Sequence, residues 1–519
     1  MRSRIAHTIA LVGVLLFFTV HSARSAAEAL RVIEVDAAQL TGIIRPLQGV
    51  DGLPGGSDAG SNQVFDGPDL RERWKDARVD AVRTYIWHAR LDTIDNPGSL
   101  FPRWSADAND PANYNFSAAD AAVRSSRDIG ADILFTLASS IPQNTRPPAD
   151  IAKYVLVVQH IVKHFYLGWA HGFDSAVRYW EIGDEPDLNT FHFSGTPEQF
   201  YAMYEAAARG IKEVDSSLQV GGPALAFPLN DHAPYREGFL NVVKQKALPF
   251  DFFSWKWYSD ATEDPLDINR VAETTSAMLE QAGLSGTPQF VTNWNFNAIP
   301  IARPDRLQMG VYESATLTYM QDSNVEKAFI FRGDAGMGTD KDPDPDLTTR
   351  MFNRDGTPMT NGYGFLAAGR MQDTPKRLAV KGADDRGFAV LAGRSVSGDT
   401  IQVLVTNYAI PAAFLKPTTK TSLDFDLPIA AIRVPVSMQL PPRRTDASSG
   451  QNGGYKLTIS HLPNVLRHYS VSRFRLDETH SLSLVDTTIG SGTVVRSSAT
   501  LPPPSVELIV IRKADSHHP

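Results

Sequence analysis

Two acidic residues stand side by side at the end of a bulky, strand-like run, in the segment YWEIGDEPD at residues 179–187. Asp184 and Glu185 follow Gly183, and Pro186 restricts the backbone immediately after them. Paired carboxyl groups suit general acid–base chemistry. Cleavage of a glycosidic bond uses one carboxylic acid to protonate the leaving oxygen and usually a second carboxylate as nucleophile or base. The tripeptide Asp-Glu-Pro also occurs in ordinary loops, so its weight depends on the fold that carries it.

The elements around this segment alternate between strand and helix. From residue 30 to residue 371, short runs rich in β-branched and aromatic residues alternate with helical stretches, which is typical of repeated β/α units. About eight strands over this length predict a (β/α)8 TIM barrel. A doubly wound open sheet is the alternative, although no glycine-rich phosphate loop follows the first strand. Side chains at the carboxyl ends of barrel strands face the active-site mouth, so Asp184 and Glu185 are expected there.

The predicted barrel strands begin with a weak candidate and become clearer along the chain: 42–50, 81–87, 132–137, 177–182, 219–221, 250–258, 289–294 and 328–332. Predicted helices include 117–129, 148–166 and 197–214, the last capped by Thr196.

The pattern changes after residue 371. Strand-like runs at 388–392, 402–407, 422–425, 434–439, 456–459, 469–475 and 506–511 are separated by Gly, Pro, Asn and Asp turns. Since no convincing helix interrupts them, residues 372–515 are predicted to form a C-terminal antiparallel β-sandwich as an accessory domain.

Composition limits the classes of function. The 519 residues exceed one ordinary core, and the apolar share of 42% with a charged share of 21% is typical of globular proteins. The formal charge of −8 comes without a basic stripe, which argues against nucleic acid as a partner. The absence of cysteine excludes disulfides, thiol nucleophiles and thiolate metal sites.

The N-terminus is typical of a secretion signal. Arg2 and Arg4 precede an apolar stretch at 9–20, and small residues at 23–27 offer a cleavage site. We therefore predict a signal peptide over residues 1–27 and a secreted or periplasmic bacterial protein. A membrane anchor is the alternative, but the apolar run is shorter than the ~20 residues that a spanning helix needs.

The stretch WEIGDEPD resembles the W-E-x-x-N-E-P motif of clan A glycoside hydrolases, and of glycoside hydrolase family 39 in particular. In that family the Glu before Pro is the general acid/base, a role that the resemblance places on Glu185. PQFVTNWN at 288–295 is similar to the family strand that carries the nucleophilic Glu, and VDAVRTYI at 79–86 is similar to the second strand, with its Arg at Arg83. The resemblance covers nearly the whole mature chain. It implies the two-domain fold and O-glycosyl hydrolase activity, which needs no cofactor.

The sequence departs from the family pattern at the position of the nucleophile. Asn293 stands where the resemblance places the nucleophilic Glu, and an amide cannot form the covalent glycosyl ester of a retaining enzyme. Asp184 stands where the family has Asn, so two acids lie side by side. Adjacent like charges raise one pKa, so Asp184 is expected to help keep Glu185 protonated. Lys256 replaces the family's usual His.

Three interpretations remain open. In the first, the protein hydrolyses glycosides with Glu185 as acid and another carboxylate in place of the missing one, for which Asp184, Asp260 and Asp334 are candidates. In the second, the site has lost catalysis and binds a glycan. In the third, the barrel carries out other chemistry on a carbohydrate, such as transfer.

The expected partner is a carbohydrate in each case. Six side chains are expected to line its pocket: Arg83, Trp180, Lys256, Tyr258, Trp294 and Arg332. Aromatic rings match the apolar faces of sugar rings. Lys256 and Arg332 carry a further hypothesis, a ligand that contains uronic acid, because Arg binds carboxylates in a bidentate fork. Alternatively, both cations pair with acidic side chains of the site itself.

Overall fold

The structure is a computed structural model that describes residues 30–55, 68–84, 89–139, 146–188, 192–229, 234–259, 263–296, 305–335, 338–339, 342–343, 350–410, 422–429, 432–439 and 453–514. The predicted signal peptide at 1–27, the last three residues of the predicted strand at 81–87, and Asp260 lie outside the described residues.

The first described strand, β1 (Arg31–Ile43), joins the second domain. The next eight strands are parallel neighbours in a closed barrel: β2 (Gly49–Asp51), β3 (Ala81–Arg83), β4 (Asp132–Leu137), β5 (Tyr179–Ile182), β6 (Gln219–Leu225), β7 (Phe252–Tyr258), β8 (Gln289–Asn295) and β9 (Val325–Phe331). The predicted TIM barrel is thus confirmed. The α-helices among the described residues of this domain are α1 (Arg71–Asp76), α2 (Ser117–Asp128), α3 (Ile151–Leu167), α4 (Pro197–Val214), α5 (Phe239–Gln245), α6 (Asp267–Gln281), α7 (Arg306–Met320) and α8 (Thr360–Gly369).

Local sequence signals explain where the helices begin and end. At the start of α4, Thr196 and Gln199 form a reciprocal capping box, and Pro197 occupies the first turn. Asp150 caps α3 by accepting a hydrogen bond from the Lys153 amide, and Gly168 ends that helix in the left-handed conformation. Short-range interactions therefore define the ends of these helices, independently of tertiary packing.

The barrel interior is layered. Ala81, Leu134, Phe252, Phe290 and Phe329 form an apolar layer, in which the rings of Phe252 and Phe290 stack with centroids 4.2 Å apart. Towards the carboxyl ends of the strands the inward-facing side chains become polar and charged. The apolar layer closes the barrel from below, so the charged layer above it opens in one direction only, as in other barrels of this type.

The second domain is built on a nine-stranded sheet in the order β19-β18-β21-β14-β13-β12-β1-β17-β20. Its strands after β1 are β12 (Lys376–Lys381), β13 (Phe388–Arg394), β14 (Thr400–Asn407), β17 (Gly454–Ser460), β18 (His468–Leu476), β19 (Ser481–Ser491), β20 (Val495–Thr500) and β21 (Ser505–Lys513). Two separate pairs are formed by β10 (Gly338–Thr339) with β11 (Asp342–Pro343), and by β15 (Ser422–Ile429) with β16 (Ile432–Gln439). One apolar core draws on strands from both halves of the large sheet, as in a sandwich.

Two expectations about this domain need correction. The predicted boundary placed residues from 30 onward in the barrel, whereas β1 pairs with β12 and β17 in the second domain. The sheet is also mixed rather than purely antiparallel, because β1 and β17 run parallel. The physical reason is that β1 alternates buried Ile33, Val35 and Ala37 with exposed residues, so it needs a sheet with one solvent face and not a barrel wall that is covered on both sides.

The two domains share a packed interface. Residues of α7 and α8 join side chains of β13, β14 and β21 in the same buried cluster as the barrel. Ser314 Oγ and Thr406 Oγ1 are hydrogen-bonded at 2.9 Å across this boundary, and the rings of Tyr312 and Tyr408 pack edge-on at 5.8 Å. In the part of the chain that the structure describes, no helix has the length and apolar character needed to cross a bilayer.

Candidate active site

The charged layer of the barrel gathers residues from the carboxyl ends of five strands. Asp51 ends β2, Arg83 ends β3, Lys256 lies near the end of β7, Asn293 lies near the end of β8, and Asp184 and Glu185 follow β5. The structure therefore brings together Arg83, Asp184, Glu185, Lys256 and Asn293, which the sequence predicted as site residues at separations of up to 210 positions.

The turn after β5 is held in one conformation. Gly183 has φ +92°, and a Cβ at this position would stand 2.8 Å from the ring of Phe200, so glycine is required here. Glu185 has φ 47°, in the left-handed region that non-glycine residues rarely adopt.

The amide of Glu185 donates to the Ala224 carbonyl at 3.0 Å. The carboxylate of Asp187 accepts the amides of Ala226 and Phe227 at 2.9 and 3.0 Å. Contacts to β6 and the segment after it thus fix the direction of the Glu185 side chain.

Arg83 is the fully buried centre of this layer. Its guanidinium donates to Asp51 at 2.6 Å, to Glu181 at 2.7 Å and to Asp184 at 2.8 Å. Asp51 ends β2, Glu181 lies on β5 and Asp184 follows β5. One planar cation therefore orients three acids. Glu181 also accepts a hydrogen bond from Thr136 at 3.0 Å, which holds it at the foot of the site.

Lys256 and His192 form a second group of contacts nearer the opening. Lys256 Nζ lies 2.6 Å from Asp184 Oδ1 and 3.0 Å from Glu185 Oε1. His192 Nε2 lies 2.8 Å from the other oxygen of Glu185, and its Nδ1 lies 3.9 Å from Asp184. The Glu185 side chain is 15% exposed and that of Asp184 is 2% exposed, so Glu185 is the acid that faces incoming ligands.

These contacts decide the ionisation of the two adjacent acids. Burial raises the pKa of Glu185, but the charges of Lys256 and His192 outweigh it and hold that pKa below its ordinary value. The pKa of Asp184 is likewise lowered, because Lys256 and Arg83 outweigh its burial. Burial lowers the pKa of Lys256, and the two carboxylates raise it above its ordinary value. Asp184 raises the Glu185 pKa, in the direction expected, but Lys256 and His192 act in the opposite direction with greater effect, so the net shift of the Glu185 pKa is downward.

Asn293 is held by its neighbours at both ends of its amide. Its Nδ2 donates to Asp51 Oδ2 at 2.5 Å, and its Oδ1 lies 3.5 Å from Arg83. Burial raises the pKa of Asp51 even though Arg83 lies beside it. An amide is thus the group that can bridge this cation and this carboxylate without adding charge.

Arg332 and Tyr258 lie on the rim. Arg332 is buried and donates Nε and a terminal nitrogen to the two oxygens of Asp334, at 2.7 and 2.9 Å. Tyr258 ends β7, is half-buried, and packs edge-on against Phe331 with centroids 6.4 Å apart. Both predicted cations of the site are therefore paired with acids of the site: Lys256 with Asp184 and Glu185, and Arg332 with Asp334.

Two predicted sugar-binding residues do not reach the opening. Trp180 is fully buried, and its ring packs at 5.1 Å against Phe135, which in turn packs at 4.9 Å against Phe165 of α3. Trp294 is also fully buried in the apolar cluster between barrel and helices. Side chains alternate along a strand, so the inward direction of Glu181 and Asn293 turns Trp180 and Trp294 outward. The prediction that these two rings line the pocket is corrected accordingly.

Two polar residues of the site, Asp51 and His192, were missed from the sequence. Asp51 is a fully buried acid at the end of β2, and its position beside a barrel mouth was the available signal. His192 lies in an irregular segment after β5, and nothing in the sequence around it marks it as a partner of Glu185. Among the described residues, no group of three His, Asp or Glu side chains is placed to hold a metal ion.

Comparison with known proteins relates the chain to a family of glycosyl hydrolases. The model of glycosyl hydrolases family 39 matches residues 107–303, which include the turn after β5 and all of β8. The crystal structure of a glucosidase from Croceicoccus marinus is 43% identical and covers 94% of this chain and 99% of its own, with a TM-score of 0.87. A monomeric β-xylosidase from Caulobacter crescentus is 16% identical and covers 93% of this chain and 100% of its own, with a TM-score of 0.64, which is a likeness of fold.

The curated relatives match over a shorter range. A β-xylosidase from Geobacillus stearothermophilus is 28% identical over 175 residues, which are 30% of this chain and 34% of the relative. The chain thus aligns with about a third of the length of the curated relatives that it matches.

Proposed function

Since the chain belongs to glycosyl hydrolase family 39, we propose that it hydrolyses O-glycosidic bonds of an oligo- or polysaccharide, with Glu185 as general acid/base. The observation that carries this proposal is the position of Glu185: it is the more exposed of two acids at the carboxyl end of a barrel strand, on a turn clamped by its neighbours. A carboxyl group held at a barrel mouth can protonate a leaving oxygen and then activate water.

The other site residues have supporting roles in this proposal. Asp184 lies beside the acid, Asn293 occupies the position of the family nucleophile, and Arg83 and Lys256 orient the carboxylates. The names of the relatives, a glucosidase and a β-xylosidase, make neutral glycosides the first substrates to test. A preference for uronic acid has less support, because Lys256 and Arg332 both pair with acids of the site.

The test is release of sugar from aryl glycosides and oligosaccharides by the purified chain and by Glu185→Gln. We expect the variant to keep its fold and to lose roughly 100-fold or more in kcat, because the amide cannot transfer a proton. Glu72→Gln is the matched control, since it makes the same chemical change at a side chain that is 85% exposed. Saturable glycan binding by the wild type with no product would overturn the proposal and leave a glycan-binding protein on a hydrolase scaffold.

We also propose that the protein is exported to the periplasm or the exterior. The support is the predicted signal peptide at 1–27, with its two arginines and apolar stretch. Expression of the full chain in a bacterial host, followed by cell fractionation and N-terminal sequencing, should give a processed form that begins near Ala27. An unprocessed chain in the cytoplasm would contradict export.

A further inference from the structure

Among the described residues of the site, β8 carries no carboxylate at the position where the resemblance predicts a covalent nucleophile. Asn293 has an amide there, and that amide is bound by Asp51 and lies near Arg83. Asp51 and Glu181 are fully buried and ion-paired with Arg83, so neither can contact the anomeric carbon of a bound sugar. Asp334 at the rim is held by Arg332 through both of its oxygens. Asp184 is also buried and bound to Arg83, but it adjoins Glu185, whose side chain is 15% exposed, so among the described residues these two acids are the carboxylates closest to a sugar that binds at Glu185.

These two acids are too close together to act as the acid and base of direct attack by water. Both contact the same nitrogen, Lys256 Nζ, at 2.6 and 3.0 Å, so the two oxygens can be no farther apart than the sum of those distances. An inverting pair needs ~6.5–9.5 Å to leave room for water on the opposite face of the sugar. They also lie on one strand end, which puts both on the same side of the ring.

A pair with this geometry fits a mechanism in which the two acids contact different groups of the same sugar. When Glu185 reaches the leaving oxygen on C1, a neighbouring carboxylate on the same side lies close to the substituent on C2. Asp184 is held as an anion by Arg83 and Lys256, so it is a strong acceptor for an N–H group. A 2-acetamido substituent has both an N–H donor for Asp184 and a carbonyl oxygen that can attack C1.

We propose that the substrate is a 1,2-trans 2-acetamido-2-deoxyglycoside whose own carbonyl oxygen takes the place of the missing protein nucleophile, with Asp184 binding the acetamido N–H. The inference rests on the proposed function, because it uses Glu185 as the acid and base of the same hydrolysis. The 1,2-trans requirement follows from the chemistry, since the carbonyl oxygen must approach C1 from the face opposite the leaving group.

The steps balance without any further reactant. The acetamido oxygen forms a bond to C1 while the bond from C1 to the leaving oxygen breaks, and Glu185 donates its proton to that oxygen. The cyclic oxazolinium intermediate carries a positive charge, which the carboxylate of Asp184 stabilises through the N–H. Water then attacks C1, Glu185 takes its proton, and the ring opens to restore the acetamido group. Configuration at C1 is retained because it is inverted twice.

The charges around Asp184 suit this role. Arg83 and Lys256 bind Oδ1, whereas the closest partner of Oδ2 from these groups is His192 Nδ1 at 3.9 Å. One carboxylate oxygen is therefore anchored and the other is placed towards the side where Glu185 and His192 lie. Binding by two cations also keeps the acceptor ionised in a buried site, where a lone carboxylate would take up a proton.

The first experiment compares matched substrates with the wild-type protein. Nitrophenyl β-glycosides of N-acetylglucosamine and N-acetylgalactosamine are assayed beside the parent 2-hydroxy β-glucoside and β-galactoside, with the 1,2-cis α-anomers as controls. We expect kcat/KM for at least one acetamido β-glycoside to exceed its 2-hydroxy partner by ~100-fold or more, with no cleavage of the α-anomers. Progressive fluorination of the acetyl group should lower kcat steeply, because the carbonyl oxygen becomes a weaker nucleophile. Retention should be seen by NMR of the first product.

The outcomes separate this inference from the proposed function. Equal or faster cleavage of 2-hydroxy glycosides, or insensitivity to fluorination, would overturn the inference and leave the hydrolase intact. Inversion of configuration would also overturn it, because attack by the substrate's own carbonyl oxygen requires retention. Failure to cleave any glycoside would remove the proposed function, and the inference with it.

A variant tests the residue that we assign to the N–H. Asp184→Asn should lower kcat on the acetamido substrate by roughly 100-fold, comparable to the loss of one transition-state hydrogen-bond partner. It should do so with a smaller effect on KM. Unchanged kcat in a folded Asp184→Asn protein would contradict the assignment. If the variant does not fold, the substrate series on the wild type still decides.

Discussion

At the scale of single residues, the site is a balance of buried charges. Asp51, Glu181, Asp184 and Glu185 surround Arg83 and Lys256, with His192 at the opening. Buried charges are costly unless they are paired, so another carboxylate can be added only where a cation remains to meet it. Asn293 Nδ2 lies 2.5 Å from Asp51 Oδ2, so a negative charge placed there would directly face another carboxylate.

This balance predicts that introducing a carboxylate at position 293 destabilises the protein. Asn293→Glu replaces a donor to Asp51 with a like charge, and we expect the free energy of unfolding to fall by about 2–4 kcal/mol at neutral pH. Adding Asp51→Asn should recover much of this loss, because the donor and acceptor are then exchanged. Urea denaturation of both single variants and the double variant measures the coupling energy. Additive effects would show that the two side chains do not interact.

Lys256 and His192, the two basic side chains near Glu185, predict how activity depends on pH. Glu185 must carry a proton to act as the acid, and Lys256 and His192 hold its pKa below the ordinary value, so kcat/KM of the wild type should rise as pH falls into the acidic range. His192→Gln keeps a hydrogen-bonding group but removes the imidazole that lowers the Glu185 pKa. We therefore expect the Glu185 pKa to rise and the alkaline limb of the kcat/KM profile to move to higher pH.

The control for this measurement is His461→Gln, at a side chain that is 68% exposed in the second domain. Its pH profile should match that of the wild type. A profile for His192→Gln that keeps the wild-type alkaline limb would show that His192 does not set the protonation of the acid.

At the scale of elements, the turn after β5 depends on Asp187. Its buried carboxylate accepts two backbone amides that follow β6, and burial raises its pKa to about 6. A carboxyl group whose pKa is higher when folded than unfolded contributes stability that is fully present below its unfolded pKa of about 4 and is lost as pH rises through 6. Asp187→Asn has no such titration, so the stability of the wild type relative to the variant should fall by about 2–3 kcal/mol between pH 4 and pH 7.

Thermal or urea unfolding across this pH range gives the measurement, with Asp76→Asn as the control at an exposed helical position. A constant difference between wild type and Asp187→Asn would mean that the Asp187 carboxyl titrates equally in the folded and unfolded chains.

The elements themselves could be predicted from the sequence where periodicity and end signals agreed. The strand at 132–137 and the helix at 197–214 were predicted with the observed bounds, because a buried β-rich run and a capping box define them locally. The strand β12 and the edge strands β19 and β20 were missed. The exposed and irregular pattern of β19, with Leu484 and Ile489 at the surface, has little of the alternation that identifies a strand.

The sequence predicts which residues lie at the site only where their place on a strand decides it. Glu185, Asp184 and Arg83 could be placed at the mouth because they stand at or beyond strand ends. Trp180 could not be placed correctly, because which residues of a strand face inward depends on the register that neighbouring strands impose. The lowered pKa of Glu185 depends on His192 and Lys256, which approach from other parts of the chain, and no local pattern contains that information.

At the scale of the whole molecule, the second domain stabilises the barrel as well as extending it. β1 precedes the barrel in sequence and yet pairs within the second sheet, so the chain enters and leaves the barrel through the same domain. Along β14, Leu404 packs in the cluster shared with the barrel helices, whereas Val403 and Val405 pack in the core of the sheet. One strand therefore belongs to both cores, and loss of either core should affect the other.

This shared strand predicts that the two domains unfold together. Leu404→Ala, at the fully buried interface, should lower the free energy of unfolding by about 2–5 kcal/mol. Val403→Ala, the matched change in the sheet core, should lower it by less because fewer methylene groups are lost. In both variants, calorimetry should show one transition at a lower temperature, and enzymatic activity should disappear over the same temperature range. A second, separate transition in Val403→Ala, with activity retained beyond the first, would show that the sheet melts independently and that the barrel does not need it.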